Sequence, residues 1–88
     1  MPYARRTDTT QQIIVSALRR VGAKVVILNG VIDLLVWFRG KLYLLDTKSR
    51  GGRLTKRQQQ LVDDGLPVHF PTSVDEALAV IGVEVQSC

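Results

Sequence analysis

Cysteine and histidine are each found once in this 88-residue sequence, as Cys88 and His69. A disulfide within one chain needs two cysteines, so a disulfide framework is excluded and a reducing, cytoplasmic location is expected. Two such residues do not make a zinc site, and His69 is interpreted as an ordinary strand residue. No apolar run approaches the roughly 20 residues of a membrane span and no signal peptide opens the chain, so no membrane association is expected.

Lysine and arginine are absent after residue 57. Residues 1–57 contain all twelve of them and only three acidic residues, for a net charge of +9, whereas residues 58–88 contain five acidic residues, for −5. A basic charge on one side of a protein is typical of polyanion binders, most often nucleic-acid-binding proteins. The alternative is an ordinary solvated surface.

The size and composition indicate one small folded domain spanning residues 1–88. A hydrophobic content of 45% excludes a disordered chain, and it suggests an additional buried surface such as a dimer interface. Aromatic residues are few, and Trp37 and Tyr43 are predicted to be core residues rather than platforms for stacked bases.

The central feature is a predicted β-hairpin. Two apolar runs, Asp33–Phe38 and Lys41–Asp46, flank Arg39-Gly40, a pair suited to a tight turn. A two-residue loop pairs Phe38 with Lys41 and therefore sets Asp33 opposite Asp46. Such a pair of like charges destabilises a hairpin unless a cation binds between the carboxylates, and a divalent metal ion meets this need.

The rest of the chain is predicted to supply three helices and two more strands. Helix one runs from about Thr9 to Val21 with Gln11 facing outward, and helix two starts at Thr55. Both faces of the hairpin are apolar, which favours an α/β fold in which helices cover a mixed sheet on both sides. The predicted order is α-β-β-β-α-β-α. The other predicted elements are strands Lys24–Leu28 and Leu66–Phe70, and a third helix from Ser73 to Gly82, with capping boxes at Asp8/Gln11, Thr55/Gln58 and Ser73/Glu76.

Several motifs in this arrangement resemble the PD-(D/E)XK nuclease core, and in particular its VRR-NUC branch of small, stand-alone phage-type nucleases. The matching residues are Gly30-Val31-Ile32-Asp33, Asp46-Thr47-Lys48, Gly52-Arg53-Leu54-Thr55-Lys56-Arg57-Gln58, Ser73-Val74-Asp75-Glu76-Ala77-Leu78 and the first helix with Arg6-Thr7-Asp8 before it. The resemblance covers nearly the whole chain. Ile32 departs from it, since the family usually has proline there.

The resemblance implies a metal-dependent endonuclease that hydrolyses DNA phosphodiesters. Asp33 and Asp46, helped by the Thr47 carbonyl, would hold one or two Mg²⁺ or Mn²⁺ ions, which polarise the phosphate and activate water. Lys48 would orient that water or offset charge on the phosphate. A structural Asp–Lys pair at a strand end is the alternative. No organic cofactor is expected.

Two further candidates have alternative roles. Gln58 would order the attacking water or a metal ligand, and its capping-box role is compatible with this. Asp8 is either a plain N-cap, which we favour, or the additional acid that many relatives carry on helix one.

DNA contacts are expected from basic residues beside the site and in the first residues of the chain. They are Arg50, Arg53, Lys56, Arg57, Arg5 and Arg6. The resemblance implies a homodimer acting on branched DNA such as Holliday junctions, in a host cytoplasm if a phage encodes it. Symmetric cutting of two strands independently requires two sites related by a two-fold axis. The competing hypothesis is a non-catalytic nucleic-acid-binding module that retains the nuclease fold.

Overall fold

The computed structural model describes residues 8–48 and 51–84, except for the side chain of Asp8. It shows an α/β fold with elements in the order α-β-β-β-α-β-α, as the sequence predicted. The elements are α1 (Asp8–Arg20), β1 (Lys24–Ile27), β2 (Leu34–Phe38), β3 (Lys41–Leu45), α2 (Lys56–Asp63), β4 (Val68–His69) and α3 (Val74–Val80).

The four strands form one mixed sheet in the order β1-β2-β3-β4. β2 is antiparallel to both β1 and β3, whereas β4 runs parallel to β3, and α2 forms the crossover between those two strands. The strand predicted at Leu66–Phe70 is reduced to the two residues of β4.

The turn between β2 and β3 has the predicted two residues. Arg39 and Gly40 have φ angles of 51° and 79°, and positive φ at both positions is typical of a type I′ turn. The Arg39 guanidinium lies 4.8 Å from the centre of the Phe38 ring, which gives this non-glycine residue a local contact. Phe38 pairs with Lys41, and the predicted register is confirmed.

The hydrophobic core lies between one face of the sheet and helices α1 and α3. Helix α1 buries residues at helical spacing, and the sheet buries alternate positions of its strands, because side chains alternate between the two faces. The fully or nearly fully buried members are Ile14, Val15, Leu18, Ala23, Val25, Leu34, Val36, Phe38, Leu45, Ala77 and Ile81. Tyr43 packs against this cluster, as predicted.

The opposite face of the sheet is only partly covered. The ladder places Trp37 beside Leu42 on that face, with Val26 one row further along, and these three side chains are 48%, 58% and 53% exposed. We call these three residues the open face. Helices therefore cover this side of the sheet only in part within one chain, and the prediction that Trp37 is a core residue is wrong. Three short helices do not provide enough apolar surface for both sides.

The starts of α2 and α3 follow the predicted capping chemistry with one difference. Thr55 and Gln58 form a complete capping box at the start of α2. At α3, Ser73 accepts from the Glu76 N–H as predicted, but the Glu76 carboxylate accepts from the N–H and hydroxyl of Thr72 instead of the Ser73 N–H. The predicted capping box of Asp8 and Gln11 depends on the Asp8 side chain, which lies outside the described part of the chain.

The helices found in residues 8–48 and 51–84 are all too short or too polar to cross a membrane.

Candidate active site

Asp33 and Asp46 meet at the end of the hairpin that lies away from the turn. Asp33 precedes β2 and Asp46 follows β3, so the ladder that pairs Leu34 with Leu45 brings the two acids opposite each other. The main-chain N–H of Asp33 donates to Oδ1 of Asp46 over 3.0 Å. Asp46 is almost fully buried, at 3% exposure, whereas Asp33 is half-buried.

Lys48 lies on the same side of the extended chain as Asp46. The backbone after β3 stays extended, since the N–H groups of Asp46 and Lys48 donate to the carbonyls of His69 and Pro71, over 2.8 and 3.0 Å. Alternation then directs both side chains to one face. The Lys48 ammonium lies 3.0 Å from Oδ2 of Asp46, so the negative charge of Asp46 is paired.

The charge of Asp33 is compensated less well. Oδ2 of Asp33 accepts a hydrogen bond of 3.2 Å from the Thr47 hydroxyl. Partial burial, followed by the negative charge of Asp46, raises the pKa of Asp33 above its ordinary value. The Thr47 hydrogen bonds oppose this rise without cancelling it. A cation at this place would relieve the cost of keeping Asp33 ionised.

Gln58 is buried at 4% exposure and connects three segments of the chain. Its Oε1 accepts from the Lys48 ammonium over 2.8 Å and from the Thr55 N–H over 3.1 Å. Its Nε2 donates to the carbonyl of Val31 over 2.8 Å, in the loop that leads to Asp33. The capping role and a place in the site are thus both present, as the sequence allowed.

An open cleft of about 990 Å³ exposes these groups to solvent. Asp33, Asp46, Thr47, Lys48 and Gln58 all line it, and the loop between β1 and β2 forms part of its wall. On the α2 side its lining includes three of the predicted basic residues, which are Arg53, Lys56 and Arg57. All three are exposed, so their charges are available to an anion that enters the cleft.

The donor set fits a hard divalent cation better than a transition metal with nitrogen or sulfur ligands. Among the residues that the structure describes, no group of three or more His, Cys, Asp or Glu comes together. Two carboxylates are present, and Mg²⁺ commonly uses only one or two, with water and phosphate oxygens as its other ligands. Thr47 follows Asp46 in the chain, lines the same cleft and is the candidate for a carbonyl ligand.

Four predicted site residues fall wholly or partly outside the described chain. Arg5, Arg6 and Arg50 lie outside the described residues, and of Asp8 only the backbone is described. That backbone places Asp8 one turn before Gln11 on α1.

The cleft includes Gln11, which sequence analysis placed on the outward surface of helix one. Gln11 is half-buried, because it precedes the buried Ile14, Val15 and Leu18 by three, four and seven positions and so shares their face. That spacing was a usable signal for its inward position. Asn29, in the loop between β1 and β2, also lines the cleft.

The open cleft therefore combines two neighbouring carboxylates, a lysine paired with the buried one, and exposed basic residues. The carboxylates suit a divalent cation and the basic residues suit an anionic substrate, with the Lys48 ammonium beside Asp46. No protein-family model, curated protein or solved structure matches this chain.

Proposed function

We propose that this protein is a Mg²⁺- or Mn²⁺-dependent DNA endonuclease that hydrolyses phosphodiester bonds. The observation that carries the proposal is the contact of Asp33, Asp46 and Lys48 in an open cleft lined by exposed basic residues. Two carboxylates against one lysine leave a local negative charge, which suits a divalent cation, and the basic rim suits the phosphates of a nucleic acid.

Asp33, Asp46 and the Thr47 carbonyl would hold the metal ion. When bound, the ion supplies Lewis acidity at the phosphate and offsets the charge of the two aspartates. The half-exposed Asp33 carboxylate is the more accessible ligand, whereas Asp46 offers the lone pairs that its contacts with Lys48 and the Asp33 N–H leave available.

Lys48 would stabilise charge that develops on the phosphate. Its ammonium has three N–H donors, and two of them are directed to Asp46 Oδ2 and Gln58 Oε1. The third remains for a phosphate oxygen or for the attacking water. Because burial around Asp46 and Gln58 limits the freedom of the lysine, the charge is held in place before substrate enters.

Phosphate contacts would come from Arg53, Lys56 and Arg57 at the start of α2. These side chains are exposed and follow the cleft wall. They would contact the sugar–phosphate backbone and fix its position without selecting a base sequence.

The α/β order and the Asp-x-Lys geometry support placing the chain in the PD-(D/E)XK nucleases, near their VRR-NUC branch. In that proposal, residues 1–88 form one nuclease domain in the cytoplasm of its host. The resemblance to that branch implies a branched DNA substrate such as a Holliday junction. Each chain carries one candidate cleft, and paired cuts in such a substrate require two. The open face supports a homodimer, since it leaves apolar side chains for a second copy.

The alternative is a nucleic-acid-binding module without activity. It keeps the basic cleft but gives no role to a raised pKa at Asp33 beside a buried aspartate and a lysine. A binding module would gain stability from replacing Asp33 with a neutral residue, so the presence of this carboxylate favours the nuclease.

Cleavage of a labelled four-way junction, with Mg²⁺ and with EDTA, tests the proposal. We expect cuts with Mg²⁺ or Mn²⁺, none with EDTA, and none by Asp33→Asn in either condition. Asp75→Asn is the matched control, because Asp75 is exposed on α3 and does not line the cleft. Binding of the junction without cutting by the wild-type protein, across both metals, would leave the binding module as the function.

A further inference from the structure

The side chain of Gln58 joins the three segments that build the cleft. Its carbonyl oxygen faces Lys48 after β3 and the N–H of Thr55 before α2, and its amide nitrogen faces the carbonyl of Val31 before Asp33. These three partners come from separate segments of the fold, and the glutamine itself is 4% exposed. The side-chain oxygen Oε1 therefore accepts from two donors, and the side-chain nitrogen Nε2 donates to one carbonyl.

This bonding leaves Gln58 poorly placed to bind water or a metal ion. A glutamine oxygen has two lone pairs, and Lys48 and Thr55 use both. One of the two Nε2 protons is committed to Val31. The oxygen could therefore accept from a water or bind a metal ion only by releasing one of these bonds inside a nearly closed environment, which would leave a buried donor without its partner.

We infer that Gln58 is a positioning residue that acts through Lys48 rather than on the substrate or the metal ion. The inference rests on the proposed nuclease function and deepens it. Gln58 Oε1 and Asp46 Oδ2 hold the ammonium from two sides, at 2.8 and 3.0 Å. With both acceptors fixed, the third N–H of Lys48 has a defined direction, which Asp46 alone would not give it.

The same glutamine couples substrate contact to the lysine. Gln58 directly follows Lys56 and Arg57, and all three lie in the first turn of α2. A phosphate held by those two residues fixes the turn that carries Gln58 and, through it, the Lys48 ammonium. Through Val31, the same turn also fixes the loop that leads to Asp33.

A double-mutant cycle separates action through Lys48 from direct action. The readout is the single-turnover cleavage rate of a junction at saturating protein, for wild type, Gln58→Met, Lys48→Met and the double variant. Misplacing one catalytic group by about 1 Å can cost about 100-fold in rate, so Gln58→Met should lose roughly 10- to 100-fold while junction Kd stays unchanged. Gln58→Met should cost much less in the Lys48→Met background than in wild type, since only the bonds to Thr55 and Val31 are then left for the glutamine to make.

Losses that multiply in the double variant would overturn the inference, because Gln58 would then act independently of the lysine. An unchanged rate in Gln58→Met would overturn it as well. Gln59→Met is the matched control: Gln59 is the next residue and is exposed, and within residues 8–48 and 51–84 its side chain bonds only Asp63 on its own helix. We expect Gln59→Met to cleave at the wild-type rate.

A second measurement does not need cleavage. In ¹⁵N–¹H spectra of lysine ammonium groups, an ammonium held by two acceptors exchanges its protons slowly and gives a visible signal. Lys48→Arg identifies the Lys48 signal, which we expect in wild type, in Gln59→Met and in Gln58→Glu, whose carboxylate still accepts from lysine. It should vanish in Gln58→Met.

The spectra also keep the two proposals distinguishable. A Lys48 signal in a protein that never cuts DNA would support the positioning role and overturn the nuclease function. A wild-type spectrum without the Lys48 signal, in a protein that cuts DNA, would overturn the positioning role alone. If Gln58→Met does not fold, wild type and Gln58→Glu decide the question, and loss of the signal in either one counts against the inference.

Discussion

The main-chain N–H of Asp33 donates to Oδ1 of Asp46 over 3.0 Å, so one acid of the cleft holds the backbone that carries the other. This bond makes the two aspartates unequal. Asp46 is buried and paired with Lys48, whereas Asp33 is half-buried and its pKa is raised. Sequence reasoning alone expects asparagine at either position to preserve or raise stability without metal, and the structure supports that expectation only for Asp33.

Asp33→Asn should abolish cleavage and stabilise the metal-free protein. Asparagine can still accept from the Thr47 hydroxyl, while the unfavourable charge beside Asp46 is removed. A like-charged cross-strand pair costs up to about 1 kcal/mol, which is up to about 4–8 °C in Tm for a domain of this size. Thermal melts in EDTA measure the change, with Asp75→Asn as control. Marked unfolding of Asp33→Asn would mean that this carboxylate holds the fold.

Replacing Asp46 should instead cost stability. Asp46→Asn keeps an acceptor for the Asp33 N–H but loses the ion pair with Lys48, at a cost of about 1–3 kcal/mol. Asp46→Ala also leaves the buried N–H without its partner and should cost about 3–5 kcal/mol. Urea unfolding in EDTA ranks the two variants, and equal stability of Asp46→Ala and wild type would refute the structural role. Neither variant should cut DNA, and both should bind it when folded.

The raised pKa of Asp33 gives stability a defined pH dependence. A carboxyl whose pKa is raised by folding makes its full contribution to folding stability below its unfolded pKa, which is near 3.8 for Asp33. That contribution is lost as pH rises through the folded pKa. The stability advantage of Asp33→Asn over wild type should therefore be absent well below pH 3.8, grow as Asp33 ionises, and then stay constant.

The measurement is the difference in unfolding free energy between the two proteins across pH, in EDTA. Glu76→Gln provides a control of opposite sign. Hydrogen bonds from the Thr72 N–H, then its hydroxyl, lower the pKa of Glu76, so its contribution is present above the ordinary value of 4.5 and lost as pH falls. Saturating Mg²⁺ should reverse the order of wild type and Asp33→Asn, because only wild type retains both carboxylates for the ion.

The hairpin register could be predicted because local chemistry determines it. Arg39-Gly40 allows a two-residue turn, and one turn fixes every pair along the ladder, including Asp33 with Asp46. The Thr55/Gln58 capping box was predictable for the same reason, since its partners are three residues apart. The hairpin register and strand alternation were enough to bring Asp33, Asp46 and Lys48 together.

Contacts between distant segments were not predictable in this way. The bond from Gln58 to the Val31 carbonyl spans 27 residues and depends on how α2 packs, which no local pattern specifies. How far the helices cover the sheet was not predictable for a related reason: alternation shows which residues share a face, but not whether a helix is available to cover that face. Trp37 is therefore exposed although its pattern is typical of a buried strand.

Arg53 and Arg57 should contribute affinity without sequence discrimination. Both are exposed along the cleft, where they can contact phosphates. Replacing both with alanine should weaken binding evenly across DNA sequences and lower the magnitude of the salt slope by up to about two units. Binding titrations from low to high salt test this, with Arg20→Ala as a control outside the cleft. Loss of discrimination at one base position with an unchanged slope would contradict it.

The open face should be the interface of a homodimer. Val26, Trp37 and Leu42 are about half exposed on one side of the sheet, and a chain of 88 residues buries a smaller share of its surface than larger domains do. A second copy is the simplest cover, and a two-fold axis would bring two clefts to one branched DNA.

Sedimentation equilibrium at micromolar concentration should then give about twice the chain mass. The mass should change little with salt, because apolar burial rather than ion pairing holds the dimer. Leu42→Lys should give the monomer, since it places a charge in the middle of the apolar contact. Ile13→Lys is the matched control. Ile13 is about as exposed as Leu42, at 54% against 58%, but it lies on α1, which packs on the other side of the sheet, so the dimer should persist. A wild-type monomer that makes paired cuts in a junction would replace this assembly with two sequential, uncoordinated nicks.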